Sequence, residues 1–150
     1  MMQMKRYAQA VILLLSIVLP ANPSAASQDR EVTLEPVPGN ENARGGLIIR
    51  DKAPLTCDEP MKEITINATG LAPNSVYTVW TVSEEPRAKA RGLGDADYSF
   101  KSDAAGNGSY TAVIPDQEWM RCRRLEIMRH PDGNPGNLKD REMAFKADLR

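Results

Sequence analysis

From residue 61 onward, apolar and polar side chains alternate in a series of short runs with a period of two. Met61–Thr69 sets Ile64, Ile66 and Ala68 against Glu63, Thr65 and Asn67, the pattern of a half-buried strand. Gly70–Ser75 then supplies a Gly/Pro/Asn turn. Beyond it Val76, Thr78, Trp80 and Val82 alternate with Tyr77, Val79 and Thr81, nearly all of them β-branched or aromatic. Further strands are predicted at Asp97–Lys101, Ser109–Ile114, Leu125–His130 and Glu142–Leu149. In the last of these Met143, Phe145, Ala147 and Leu149 are expected inward, with Ala144, Lys146 and Asp148 outward. Asp103–Gly108 carries a hairpin signal, because Gly and Asn tolerate positive φ. Aromatic residues are few, so Trp80, Tyr77, Phe100 and Phe145 are the expected core anchors, with Trp80 at the centre because its ring buries the most area.

Before residue 61 the pattern is weaker. Gly46–Arg50 is a short apolar run, and residues 27–45 are polar and Pro-containing, read as a flexible N-terminal arm or a loose strand around Val32–Leu34. Glu84–Asp95 and the turn cluster 130–137 are the exposed connections where function would sit. Pro115–Arg124 reads as a helical turn capped by Asp116 or as a loop carrying Cys122. Turn signals between strands at this spacing, without a long amphipathic helix, predict an all-β fold, an antiparallel sandwich of about seven strands.

The first 26 residues change the picture of compartment. Lys5 and Arg6 precede the apolar run Ala10–Leu19, and Pro20–Ala26 adds a breaker and small residues, the layout of a cleaved secretory signal. The run is too short to cross a bilayer. Organisation is therefore expected as a signal peptide at 1–26, an arm at 27–45 and one domain at 46–150, periplasmic or secreted. Across the chain 19 Lys and Arg face 20 Asp and Glu. So balanced a charge offers nothing to nucleic acid, and no membrane insertion is expected after cleavage.

Candidate chemistry is sparse. In an exported chain the two cysteines, Cys57 and Cys122, read as a disulfide. Closing that loop of about 65 residues would stabilise the fold by roughly 4 kcal/mol in the chain-entropy picture. His130 is the sole histidine, and with Met128 on the same strand face it is the one handle for a soft metal such as Cu(I). No nucleophile motif or phosphate-cradling Gly loop is present, so no catalytic residue and no cofactor is predicted. Two basic clusters, Arg87-Ala-Lys89-Ala-Arg91 and Arg121-x-Arg123-Arg124, suit an acidic partner or simply a solvated surface.

The run Gly70–Trp80 (GL-x-P-x-S-x-Y-T-V-W), followed by an aromatic strand and the D-x-x-G-x-G of Asp103–Gly108, resembles immunoglobulin-like β-sandwich modules of exported bacterial proteins. It is similar to the extracytoplasmic domain of anti-sigma-K-type proteins, over about Met61–Leu149. The resemblance implies an immunoglobulin-like antiparallel sandwich outside the cytoplasm. The functional expectation is a non-enzymatic binding or structural protein of the bacterial envelope that contacts an unknown protein or envelope component through its loops. The alternative is a periplasmic small-ligand or copper carrier using Met128 and His130.

Overall fold

A computed structural model describes residues 29–53, 59–84, 86–94 and 98–150. The signal segment, Cys57, Glu85 and Asp95–Asp97 lie outside them. The chain order is β1 (Arg30–Pro36), β2 (Arg44–Lys52), β3 (Met61–Thr69), β4 (Val76–Ser83), β5 (Lys89–Gly92), β6 (Ser99–Lys101), β7 (Gly108–Pro115), α1 (Asp116–Arg121), β8 (Arg124–His130) and β9 (Glu142–Asp148). All strand pairs are antiparallel, in the order β5-β4-β8-β9-β1-β2-β3-β7, with β6 also beside β4. The nine strands form one curled sheet, two more strands than the turn signals predict.

The curl passes through β1. Its first five residues pair with β2 (Arg30↔Ile49 to Leu34↔Gly45), and its last two pair with β9 (Glu35↔Lys146, Pro36↔Phe145). Of the two readings of this stretch, arm or strand around Val32–Leu34, residues 30–36 form the strand, held by Leu34, which is 1% exposed in the core. Leu34 reaches that core because β2 passes it with Gly45, where an added Cβ would lie 2.8 Å from Leu34 Cδ1.

One apolar cluster fills the curl, drawing Leu34, Leu47, Ile64, Ile66, Tyr77, Val79, Leu125, Ile127 and Phe145 from strands on both sides. Burying such side chains is worth about 1.5–3 kcal/mol each, the main term holding the sheet together. Tyr77 and Phe100 stack at 5.3 Å, and the Tyr77 hydroxyl accepts the Ala72 N–H at 3.1 Å. Trp119 of α1 closes one end of the cluster. The helix starts after Pro115 with no side-chain cap; Asp116 pairs with Lys62 at 3.3 Å instead of capping.

Strand alternation corrects the expected centre. Tyr77 and Val79 point into the cluster, so Trp80 faces away from it. It is nonetheless only 8% exposed, because Tyr98 meets it edge-on at 4.8 Å and the Arg141 guanidinium lies 5.1 Å from its ring centre. A small aromatic cation–π layer therefore covers the outer face of β4.

Two turns lock together where the chain crosses between strand groups. Asp103–Gly108 is not a hairpin: β6 before it pairs with β4, and β7 after it pairs with β3. Gly106 (φ +79°) accepts the Leu71 N–H at 3.0 Å through its carbonyl, tying this turn to the one after β3. Asp103 caps the turn by accepting the Ala105 and Asn107 N–H groups at 2.9 and 2.8 Å.

Candidate functional site

Segment 84–95, expected as an irregular connection, contains the edge strand β5. Its register with β4 sets Thr81 against Arg91 and Ser83 against Lys89. The Thr81 hydroxyl donates to the Arg91 carbonyl at 3.3 Å and the Ser83 hydroxyl to the Lys89 carbonyl at 3.5 Å, the latter bond at the limit of length. Directly opposite residues of an antiparallel pair share a face. Lys89 and Arg91 are therefore carried on the face where Thr81 and Ser83 stand.

At this end of the sheet α1 stands over that face. Between them is a pocket of about 220 Å³ lined by Thr81, Ser83, Lys89, Arg91, Glu118, Arg121 and Cys122. Three cations and one carboxylate surround it, and Arg91 lies 3.5 Å from Glu118. Among the described residues no acid pairs with Lys89 or Arg121. The two basic clusters of the sequence, some thirty residues apart, thus each send a cation to one pocket. Arg124, from the second cluster, is instead paired with the mostly buried Glu126 at 2.8 Å.

Cys122 lines this pocket as a buried thiol whose Sγ lies 3.4 Å from the Glu118 carbonyl. Burial pushes its pKa up, against an opposing Thr81 hydrogen bond, which disfavours the nucleophilic thiolate. The three cations are suited to hold an anionic group. The expected partner Cys57 falls outside the described residues.

Met128 and His130 lie on the outer face of β8, the face that Trp80 occupies on β4. His130 is 1% exposed. Its Nε2 lies 2.8 Å from Thr78 Oγ1, which also accepts the Trp80 Nε1–H at 2.8 Å. Its Nδ1 is buried and has no hydrogen-bond partner among the described residues. Among the described residues no three His, Cys, Asp or Glu side chains gather as a metal site.

The turn beyond His130 is tied internally. Asp132 accepts the Asn134 N–H at 3.0 Å and the Asn137 amide at 2.8 Å, bonds that hold its carboxyl below the usual range. The one acidic residue of 130–137, Asp132, is thereby a turn former. The large exposed apolar side chains among the described residues are Met120 and Leu138, one beside the pocket and one in this turn. They are single residues and not a patch. A second, open hollow of about 630 Å³ is lined by Asn67, Thr69, Asn74, Lys101, Asp103 and neighbouring polar residues.

Sequence reasoning missed the pocket's hydroxyls, because Thr81 and Ser83 read only as strand residues. Their signal lay in the cross-strand register with two cations, which a single strand does not display. No protein-family model matches this chain, and no curated protein does.

Proposed function

We propose that this chain is an exported, non-enzymatic binding protein of the bacterial envelope that meets an acidic partner at the pocket beside β5. The observation that carries this reading is the convergence of Lys89, Arg91 and Arg121, from two separate basic clusters, on one concave site. A net positive pocket in a near-neutral chain steers an anionic group to one place. The scarcity of exposed apolar side chains favours a polar contact over an apolar one.

The finer architecture in this reading is an immunoglobulin-like sandwich akin to the anti-sigma-K-type extracytoplasmic domain. It is supported by β1 changing partners midway and by the core drawing on both strand groups. Export by the 1–26 signal to the periplasm or beyond belongs to the same proposal, as does a Cys57–Cys122 disulfide. Asp116 N–H donates to the Pro60 carbonyl at 2.8 Å, so Pro60 is anchored at the start of the helix that Cys122 ends.

The test is affinity capture from an envelope extract at low ionic strength. Wild type should retain a partner that a Lys89→Glu/Arg91→Glu variant releases, and added salt should weaken retention. Equal capture by both proteins refutes the site. A second reading, the periplasmic metal or small-ligand carrier, is favoured by one observation, the unpartnered buried Nδ1 of His130.

A further inference from the structure

We propose that Met128, His130 and Met143 form a site for a soft monovalent ion, Cu(I) or its analogue Ag(I), on the outer face of β8 and β9. The inference rests on the carrier reading and deepens it by naming a third ligand. Plain alternation along β9 would send Met143 inward with Phe145. The pairing shifts instead: Ile127 faces Phe145 but Met128 faces Met143, so Ala144 is an extra residue in β9. Ala144 is buried in the core and 1% exposed, and Met143 is turned to the face of Met128. The bulge thus brings a second thioether opposite the first, two residues along the strand from the imidazole.

One side of the imidazole is held by a hydrogen bond, and the other side has none among the described residues. Thr78 Oγ1 receives the Trp80 indole N–H and sits 2.8 Å from His130 Nε2. With Nε2 as donor, Thr78 accepts two hydrogen bonds and Nδ1 keeps a bare lone pair. That is the state a metal needs, and the Trp80–Thr78 pair is the outer support that fixes the ring. A buried nitrogen with no partner is costly, and an ion would satisfy it. The donor set then selects the ion. Two thioethers and one imidazole suit Cu(I), whereas zinc or calcium would need thiolates, more imidazoles or carboxylates.

The test uses the exported protein and two probes: Ag(I), followed by NMR of methyl-labelled methionine, and Cu(I) in competition with a chromogenic chelator. One equivalent of Ag(I) should shift the methyl signals of Met128 and Met143 and leave that of exposed Met120 unmoved. Met128→Leu and Met143→Leu, which keep volume and fold, should abolish measurable Cu(I) binding. Thr78→Val should weaken it by about tenfold or more. Failure of the wild type to bind either ion overturns both this site and the carrier reading. Tight binding retained by Met143→Leu overturns this site alone.

Discussion

Replacing Gly106 by Ala should be among the more damaging single-methyl changes in this protein. Gly106 has φ +79°, where a side chain costs about 1–2 kcal/mol relative to glycine. Its added Cβ would also stand 2.4 Å from the Leu71 carbonyl oxygen and 3.2 Å from the Leu71 nitrogen. Both are backbone atoms of the turn that Gly106 grips, so relief requires the two turns to separate. The Leu71 N–H bond to the Gly106 carbonyl, worth about 1 kcal/mol, then lengthens or breaks. Together these give roughly 2–3 kcal/mol. Gly133→Ala supplies the control: φ is +72°, but nothing lies within 4 Å of the added Cβ. It should cost only the conformational part, about 1–2 kcal/mol. Urea unfolding followed by tryptophan fluorescence measures both. The two midpoints should differ at equal m, with Gly106→Ala lower. Equal losses would show that the turns do not interlock, and the close approach of Leu71 and Gly106 would lose its structural role.

Trp80→Phe keeps most of the buried ring but removes the indole N–H that Thr78 accepts, and should cost about 1–2 kcal/mol by circular dichroism. An unchanged midpoint would mean the Trp80–Thr78–His130 row contributes nothing. In acid, Asp103 should matter, because hydrogen bonds, chiefly from the Asn107 backbone N–H, hold its carboxyl below the usual carboxylate range. A folded pKa below the unfolded one stabilises above the unfolded value and fades as pH falls through the folded one. Asp103→Ala should therefore flatten the stability profile below about pH 4 while lowering stability near neutrality. Finally, if the proposed Cys57–Cys122 disulfide forms, thiol counting on the unfolded protein should find no free cysteine, and reduction should lower stability by up to about 4 kcal/mol. Two free thiols would refute the disulfide.

Period-two runs carried most of the sheet: β3, β4, β7, β8 and β9 are all legible from alternation and turn residues. What escaped was whatever depends on a neighbouring strand. Both faces of β4 are buried, so Trp80 and Tyr77 look equally central along the chain, and only the partners decide which points to the core. The β9 bulge that reverses Met143 leaves no trace in local composition, since Met-Ala-Phe satisfies either phase. Edge strand β5 was hidden because Lys89-Ala-Arg91 is exposed and lacks β-formers; two hydroxyls of β4 help hold it. The basic clusters were visible, but their meeting point was not, because α1 brings Arg121 across some thirty residues of chain.

The double pairing of β1 has a bearing on the order in which this protein can fold. Its last residues need β9, and the Arg30 guanidinium donates to the Leu149 carbonyl at 2.7 Å, across almost the whole described chain. Contacts of such separation carry a high loop-closure cost and slow folding. The last two residues of the first strand cannot be locked while the ninth is still being made. A chain wired in this way completes its first strand only when its far end arrives.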